Sequence, residues 1–150
     1  MTDTTTMTDD KKATLLENLN ILEQSAEQLR YSLEKCKALT EPFSPENLES
    51  IEALSSRFAR TADILTQKVV RSLILYLREE PGTFIDMANQ MEKMQLTDTA
   101  QLTLEIRDLR NEIVHDYSNR DSKEIKETCV ALAPALLETI AKTEAYVEKL

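Results

Sequence analysis

Glycine occurs once in these 150 residues, histidine once, cysteine twice, proline four times and tryptophan not at all. Each scarcity excludes something. Strand-rich folds need tight turns, and a chain with almost no glycine is poorly equipped to make them, so an all-α protein is expected. One histidine and two cysteines far apart in sequence, Cys36 and Cys129, make no ligand set for zinc or iron, and no metal or other cofactor is expected. The two thiols can pair in principle, but buried, reduced thiols are the expectation. No apolar run approaches the roughly 20 residues of a membrane span, and no membrane association is expected. The opening MTDTTTMTDD is polar and acidic, without the basic start and apolar middle of a secretory signal, so a cytoplasmic location is the default.

What is present suits one helical domain. The chain is 41% hydrophobic and 30% charged, and its length is enough for a sizeable core. Residues 1–9 read as a disordered tail and 10–150 as a single domain. Leu15, Leu19, Leu22, Ala26, Leu29, Leu33 and Cys36 recur at alternating spacings of about four and three, the seam of a first helix from about Asp10 to Leu39. TEPFSPENL breaks that helix, and Ser44–Pro45 starts the next as N-cap and first-turn proline. The second helix is expected to reach Glu80, where Pro81 and Gly82 stop it, and it is long enough for a bend or break. A short third helix covers about Thr83 to Met94. Asp98 with Gln101 resembles a capping box for a fourth, ending near Tyr117. Asp121 with Glu124 caps a fifth, in which Pro134 invites a kink. The sum is an antiparallel bundle of four to five helices.

Net charge is −9, which taken alone argues against a nucleic-acid partner. The charges are sorted, however. Residues 1–56 hold five basic and eleven acidic side chains, residues 79–106 one and six, but residues 57–78 hold five cations (Arg57, Arg60, Lys68, Arg71, Arg78) and Asp63 as their one acid. Local potential decides whether a polyanion docks. On one continuous α-helix these five cations share a stripe about 80° wide, a candidate phosphate-tracking strip. A solvated face paired with the acidic first helix is an equally good reading for Lys68 and Arg78. Asp63 is placed to orient His115, to pair with Arg110, or to bridge Arg60 or Lys68.

The stretch RNEIVHDY, Arg110 to Tyr117, contains the one histidine. At about 100° per residue, Leu102, Ile106, Leu109 and Ile113 form the core face of this helix. Glu105, Asp108, Glu112 and Asp116 form an acidic face. Arg107, Arg110, Asn111 and His115 share the remaining arc with Leu104 and Val114. That mixture is neither ordinary core nor ordinary surface, and it reads as a cleft or an interface. Imidazole moves protons near neutral pH, guanidinium grips phosphate oxygens, and Asn111 can hold a ligand oxygen or fix the imidazole. Cleavage of RNA by its own 2′-OH needs little more than proton transfer and charge stabilisation at phosphorus. Two chains meeting at this face would bring two histidines and two arginines to one phosphate. The structural alternative is a histidine that stabilises a helix end through the dipole, with arginines in ion pairs.

The same residues resemble a known family. RNEIVHDY matches the R-N-x-x-x-H signature of the HEPN superfamily, and its R-x4-H-x-Y form resembles HepT-like toxins of HEPN/MNT toxin–antitoxin pairs. RFARTADILTQKVVRSL, Arg57 to Leu73, is similar to the second-helix region of HepT-like proteins, and the resemblance covers roughly residues 45–150. It implies a HEPN-like helical bundle and a metal-independent endoribonuclease acting on tRNA or mRNA. The site would be composite, formed across a homodimer, with Arg110 and His115 catalytic and Asn111 a polar support. It also implies an MNT-type nucleotidyltransferase antitoxin as partner, neutralising the toxin by adenylylation of Tyr117, which would add bulk and negative charge beside the cleft. Helix-end packing is the other reading of Tyr117. Arg57, Arg60, Arg71 and Arg107 are the expected RNA- or phosphate-binding residues. The competing expectations are a non-catalytic nucleotide-binding module serving a nucleotidyltransferase, and a scaffold bundle whose motif is a dimer contact. Few aromatics (5%) are on hand for base stacking, so sequence-specific reading of RNA is not expected.

Overall fold

A computed structural model describes residues 4–115 and 121–150. Among them there is no strand. The elements are α1 (Thr4–Cys36), α2 (Pro45–Asp63), a π-helical segment (Ile64–Val70), α3 (Arg71–Tyr76), α4 (Phe84–Lys93), α5 (Ala100–His115) and α6 (Ser122–Glu148). The π-helical segment joins α2 to α3 without a break, so these three form one long rod. α1 begins at Thr4 and so takes in residues that the sequence assigns to a tail.

The direction of packing follows from side-chain contacts. Asn18 bonds Ser72, Ser25 meets Thr61, and Arg57 reaches Ser32. Position rises along α1 as it falls along the rod, so the two are antiparallel. Lys126 bonds the Leu39 carbonyl at the start of α6, while Lys142 near its end reaches Asp98 at the foot of α5. All-α bundle architecture is therefore what the sequence builds.

The core is the seam expected on α1. Leu15, Leu22, Ala26, Leu29, Leu33 and Cys36 are buried, with Leu19 half-buried beside them. Ile51, Leu54, Phe58, Ala62, Leu65, Val69 and Leu73 meet them from the rod. Each leucine, isoleucine, valine or phenylalanine among them contributes about 1.5–3 kcal/mol relative to exposure. The Ser25–Thr61 hydroxyl pair, at 2.7 Å, satisfies two polar groups inside that seam, where an unpaired hydroxyl would be costly. Cys36 and Cys129 are buried and not bridged to each other, and burial pushes the Cys36 thiol above its usual range.

Helix ends show where sequence signals work and where they mislead. The Ser44 hydroxyl accepts from the Asn47 amide and Pro45 opens α2, as expected. Asp121 accepts from the Lys123 amide at the start of α6, which runs through Pro134 as one helix. Two expectations need correction. The cap of α5 is Thr99, whose hydroxyl accepts from the Leu102 amide. Asp98 instead pairs with Lys142 at 2.9 Å. The rod ends at Leu77, before Pro81: Arg78 adopts φ 62°, and the Arg78 and Glu79 amides bond back to Leu75 and Ile74. α4 ends the same way at Gln95, also at φ 62°, with the Gln95 and Leu96 amides bonding Glu92 and Met91. These are Schellman closures made without glycine. The one glycine, Gly82 at φ 64°, lies ahead of the Thr83–Asp86 capping box that starts α4.

Among the described residues, no helix is long and apolar enough to cross a membrane.

Candidate active site

The C-terminal end of α2, the π-helical segment and α5 enclose a cleft of about 820 Å³. Its floor is apolar, from Ala59, Ala62, Ile64, Ile106, Ile113 and Val114. Arg60, Lys68, Arg107, Arg110 and Asn111 also line it, and Asp63 is the single acid among the described lining residues. A chain of net charge −9 thus concentrates four cations around one concave surface, and local potential governs what docks there.

The helical reading of α5 accounts for this. Ile106, Leu109 and Ile113 are buried and Leu102 is half-buried, while Glu105, Asp108 and Glu112 are exposed. The third arc of the helix faces the cleft and delivers Arg107, Arg110, Asn111 and Val114 to it.

Arg110 is held in a two-pronged ion pair. Its Nε donates to Asp63 Oδ1 at 2.8 Å and its Nη2 donates to Asp63 Oδ2 at 3.0 Å. Its Nη1 donates to Asn111 Oδ1 at 3.3 Å. Three donors of one planar group are so engaged, which sets the guanidinium plane against the cleft wall. Of the roles open to Asp63, pairing with Arg110 is the one observed. The side-chain partner observed for Asn111 is Arg110.

Arg107 is held differently. Its guanidinium carbon lies 4.7 Å from the centroid of the Phe84 ring, in the range of a cation–π contact. Its Nη2 is a loose 3.7 Å from Asp108, and its Nε is buried without a hydrogen-bond partner among the described residues. Phe84 went unremarked as a site residue in the sequence, where it reads as one of several apolar residues of a short helix.

His115 is the last residue of α5 and is exposed. It does not appear among the described residues lining the cleft, so the structure brings Arg110 and Asn111 together and leaves His115 at the helix end beyond them. Tyr117 lies outside the described residues.

The basic stripe divides. Arg60 and Lys68 line the cleft. Arg57 turns to α1, where its Nη1 donates to Ser32 Oγ at 2.8 Å and to the Gln28 carbonyl at 3.3 Å. Arg71 is exposed and outside the described lining. For Arg71 the cause is the π-helical segment, whose i→i+5 bonding shifts the register of everything after it. Ile64, Leu65, Thr66, Val69 and Val70 are all buried in it, and a stripe drawn on an uninterrupted α-helix does not survive the shift.

Comparison with protein-family models, curated proteins and solved structures finds no match.

Proposed function

We propose that this chain is a metal-independent endoribonuclease of the HEPN type, the toxin of a toxin–antitoxin pair, and that it acts as a homodimer. The observation that carries the reading is the placement of Arg110 and Asn111, the first two residues of the R-N-x-x-x-H motif, in a cation-lined cleft of nucleotide-sized volume. The fork to Asp63 supports the role given to Arg110, because a guanidinium fixed in advance stabilises charge at phosphorus without reorganising. Val114, 48% exposed at the cleft, and Ile85, 55% exposed and next in sequence to the cleft-lining Phe84, are apolar surface and support a self-association face.

In the proposed reaction, the 2′-oxygen bonds to phosphorus and the bond from phosphorus to the 5′-oxygen breaks. One imidazole takes the 2′-hydroxyl proton, and the second, from the other subunit, gives a proton to the leaving 5′-oxygen. Arg110 of each subunit faces the charge that builds on the non-bridging oxygens. The products are a 2′,3′-cyclic phosphate and a 5′-hydroxyl. Arg60 and Lys68 take neighbouring phosphates and Arg107 contacts the RNA beside them, while Arg57 and Arg71 are not among the described residues that line the cleft. Adenylylation of Tyr117 by an MNT-type nucleotidyltransferase is the proposed means of neutralisation.

The test is incubation of purified protein with total tRNA in EDTA. Cleavage is expected for the wild type and is lost in His115→Ala and Arg110→Ala variants that remain folded. A second reading, a non-catalytic nucleotide-binding module working with a nucleotidyltransferase, draws on the position of His115 outside the described cleft lining. It requires bound nucleotide and intact RNA.

A further inference from the structure

Phe84 and Arg107 come from different helices and have no part in the phosphate chemistry just described. Phe84 opens α4, held by the Thr83–Asp86 capping box in which each side chain bonds the other residue's backbone N–H. Arg107 stands on α5. Their contact at 4.7 Å is the point where α4 closes one wall of the cleft.

A guanidinium has two faces. The Phe84 ring lies against one side of the Arg107 guanidinium. The side chain as a whole keeps 37% of its surface exposed and lines the cleft. Its in-plane partners are weak: the Asp108 contact is 3.7 Å long and Nε has no partner among the described residues. An arginine whose purpose were an ion pair would be expected to make one as Arg110 does. Arg107 is instead braced by stacking, with an unused donor in its plane. Unstacked nucleobases lie on such planes, on aromatic rings or on arginine guanidinium groups. The apolar floor of Ile106, Ile113 and Val114 suits the edge of a flat, poorly hydrated ring, and Arg60 and Lys68 across the cleft suit its phosphate.

We infer that Arg107, braced on Phe84, is a base-stacking residue, so that the cleft takes RNA as a single strand with one base unstacked and laid on the open face of the guanidinium. The inference rests on the reading of this cleft as the place where RNA docks. It identifies the substrate as unpaired nucleotides, because a base held in a duplex cannot reach the plane. It also revises the expectation from composition: few aromatics are present, yet one is spent on ordering an arginine at the cleft.

The experiment compares adenosine 5′-monophosphate with ribose 5-phosphate by calorimetric titration into wild-type protein and into Arg107→Lys and Phe84→Leu variants. The two ligands share sugar and phosphate and differ in the base, and neither contains a bond for the enzyme to cleave. Wild-type protein is expected to bind the monophosphate roughly ten-fold more tightly than the sugar phosphate, within the range that one stacked base contributes. Arg107→Lys keeps the charge and loses the plane, so the preference is expected to vanish while ribose 5-phosphate binding stays within about two-fold. Phe84→Leu keeps the apolar volume and is expected to reduce the preference in the same sense. Equal binding of the two ligands by wild-type protein, or a preference unchanged in Arg107→Lys, overturns the inference. Failure of the ribonuclease reading looks different: tRNA left intact in EDTA with the base preference present.

Discussion

Removing the fork between Asp63 and Arg110 should cost stability in proportion to its half-buried setting. The Arg110 side chain is 27% exposed and that of Asp63 is 41% exposed. Fully exposed pairs are worth about 0.2–1 kcal/mol, and breaking a buried pair costs about 3–5 kcal/mol because one charge is stranded. A two-pronged pair between these limits should show a coupling energy of about 1–1.5 kcal/mol. The measurement is a double-mutant cycle in urea: wild type, Asp63→Ala, Arg110→Ala and the double variant. For a chain of this length, about 1 kcal/mol should also appear as a drop of about 2–4 °C in Tm. Asp63→Asn preserves shape and removes the charge, so it should lower RNA cleavage by about ten-fold through loss of Arg110 orientation. A coupling energy below about 0.3 kcal/mol, the level at which independent sites add, would refute the view that Asp63 sets the arginine.

Three further outcomes are expected elsewhere in the fold. Burial, followed by the hydrogen bond and repulsion from Glu23, raises the Glu144 carboxyl to about 7, whereas its bond to Glu144 and the contact with Arg30 lower Glu23. A raised acid stabilises the fold below its ordinary range and loses that contribution as pH rises through about 7, so urea midpoints should fall between pH 5 and 8 by an amount equivalent to about 1 kcal/mol, allowing for solvent screening. Glu144→Gln should flatten that dependence, and a wild-type profile already flat there contradicts the assignment. Arg78→Gly and Gln95→Gly relieve left-handed backbone at φ 62° and should each raise stability by about 0.5–1 kcal/mol, read as a higher Tm; a lower Tm means the side chains matter more than the backbone. Gly82→Ala should lose about 1–2 kcal/mol, because the added Cβ would meet Asp86 Oδ2 at 2.6 Å and push it off the Thr83 amide; unchanged thermal unfolding would show that the box yields freely.

Much of the fold was legible because the helices carry dense, regular apolar seams. Leu15 through Cys36 and Ile106 through Ile113 each bury the face that their spacing marks. Starts were readable where a short polar side chain meets a proline or a charged helix, as at Ser44 and Asp121. The stop of the rod was not, because Arg78 takes a backbone conformation associated with glycine and nothing in its chemistry announces it, whereas α4 ends at Met94, where the sequence expects it. The π-helical segment was equally hidden. Its apolar residues read as ordinary helix, yet it shifts the register between α2 and α3, and Lys68 lines the cleft while Arg71 is outside the described lining. At the site, the arc carrying Arg107, Arg110 and Asn111 was visible from periodicity. The partners were not: Asp63 was one of several options, and Phe84 gave no signal because contact between α4 and α5 is a property of tertiary packing.

The central claim is tested most directly by the chemistry of the cut ends. A 5′-labelled tRNA incubated with the protein in EDTA should give fragments ending in 2′,3′-cyclic phosphate, with 5′-hydroxyl on the downstream piece, and none with His115→Ala. Intact tRNA, or fragments ending in 3′-hydroxyl and 5′-phosphate, would contradict the account.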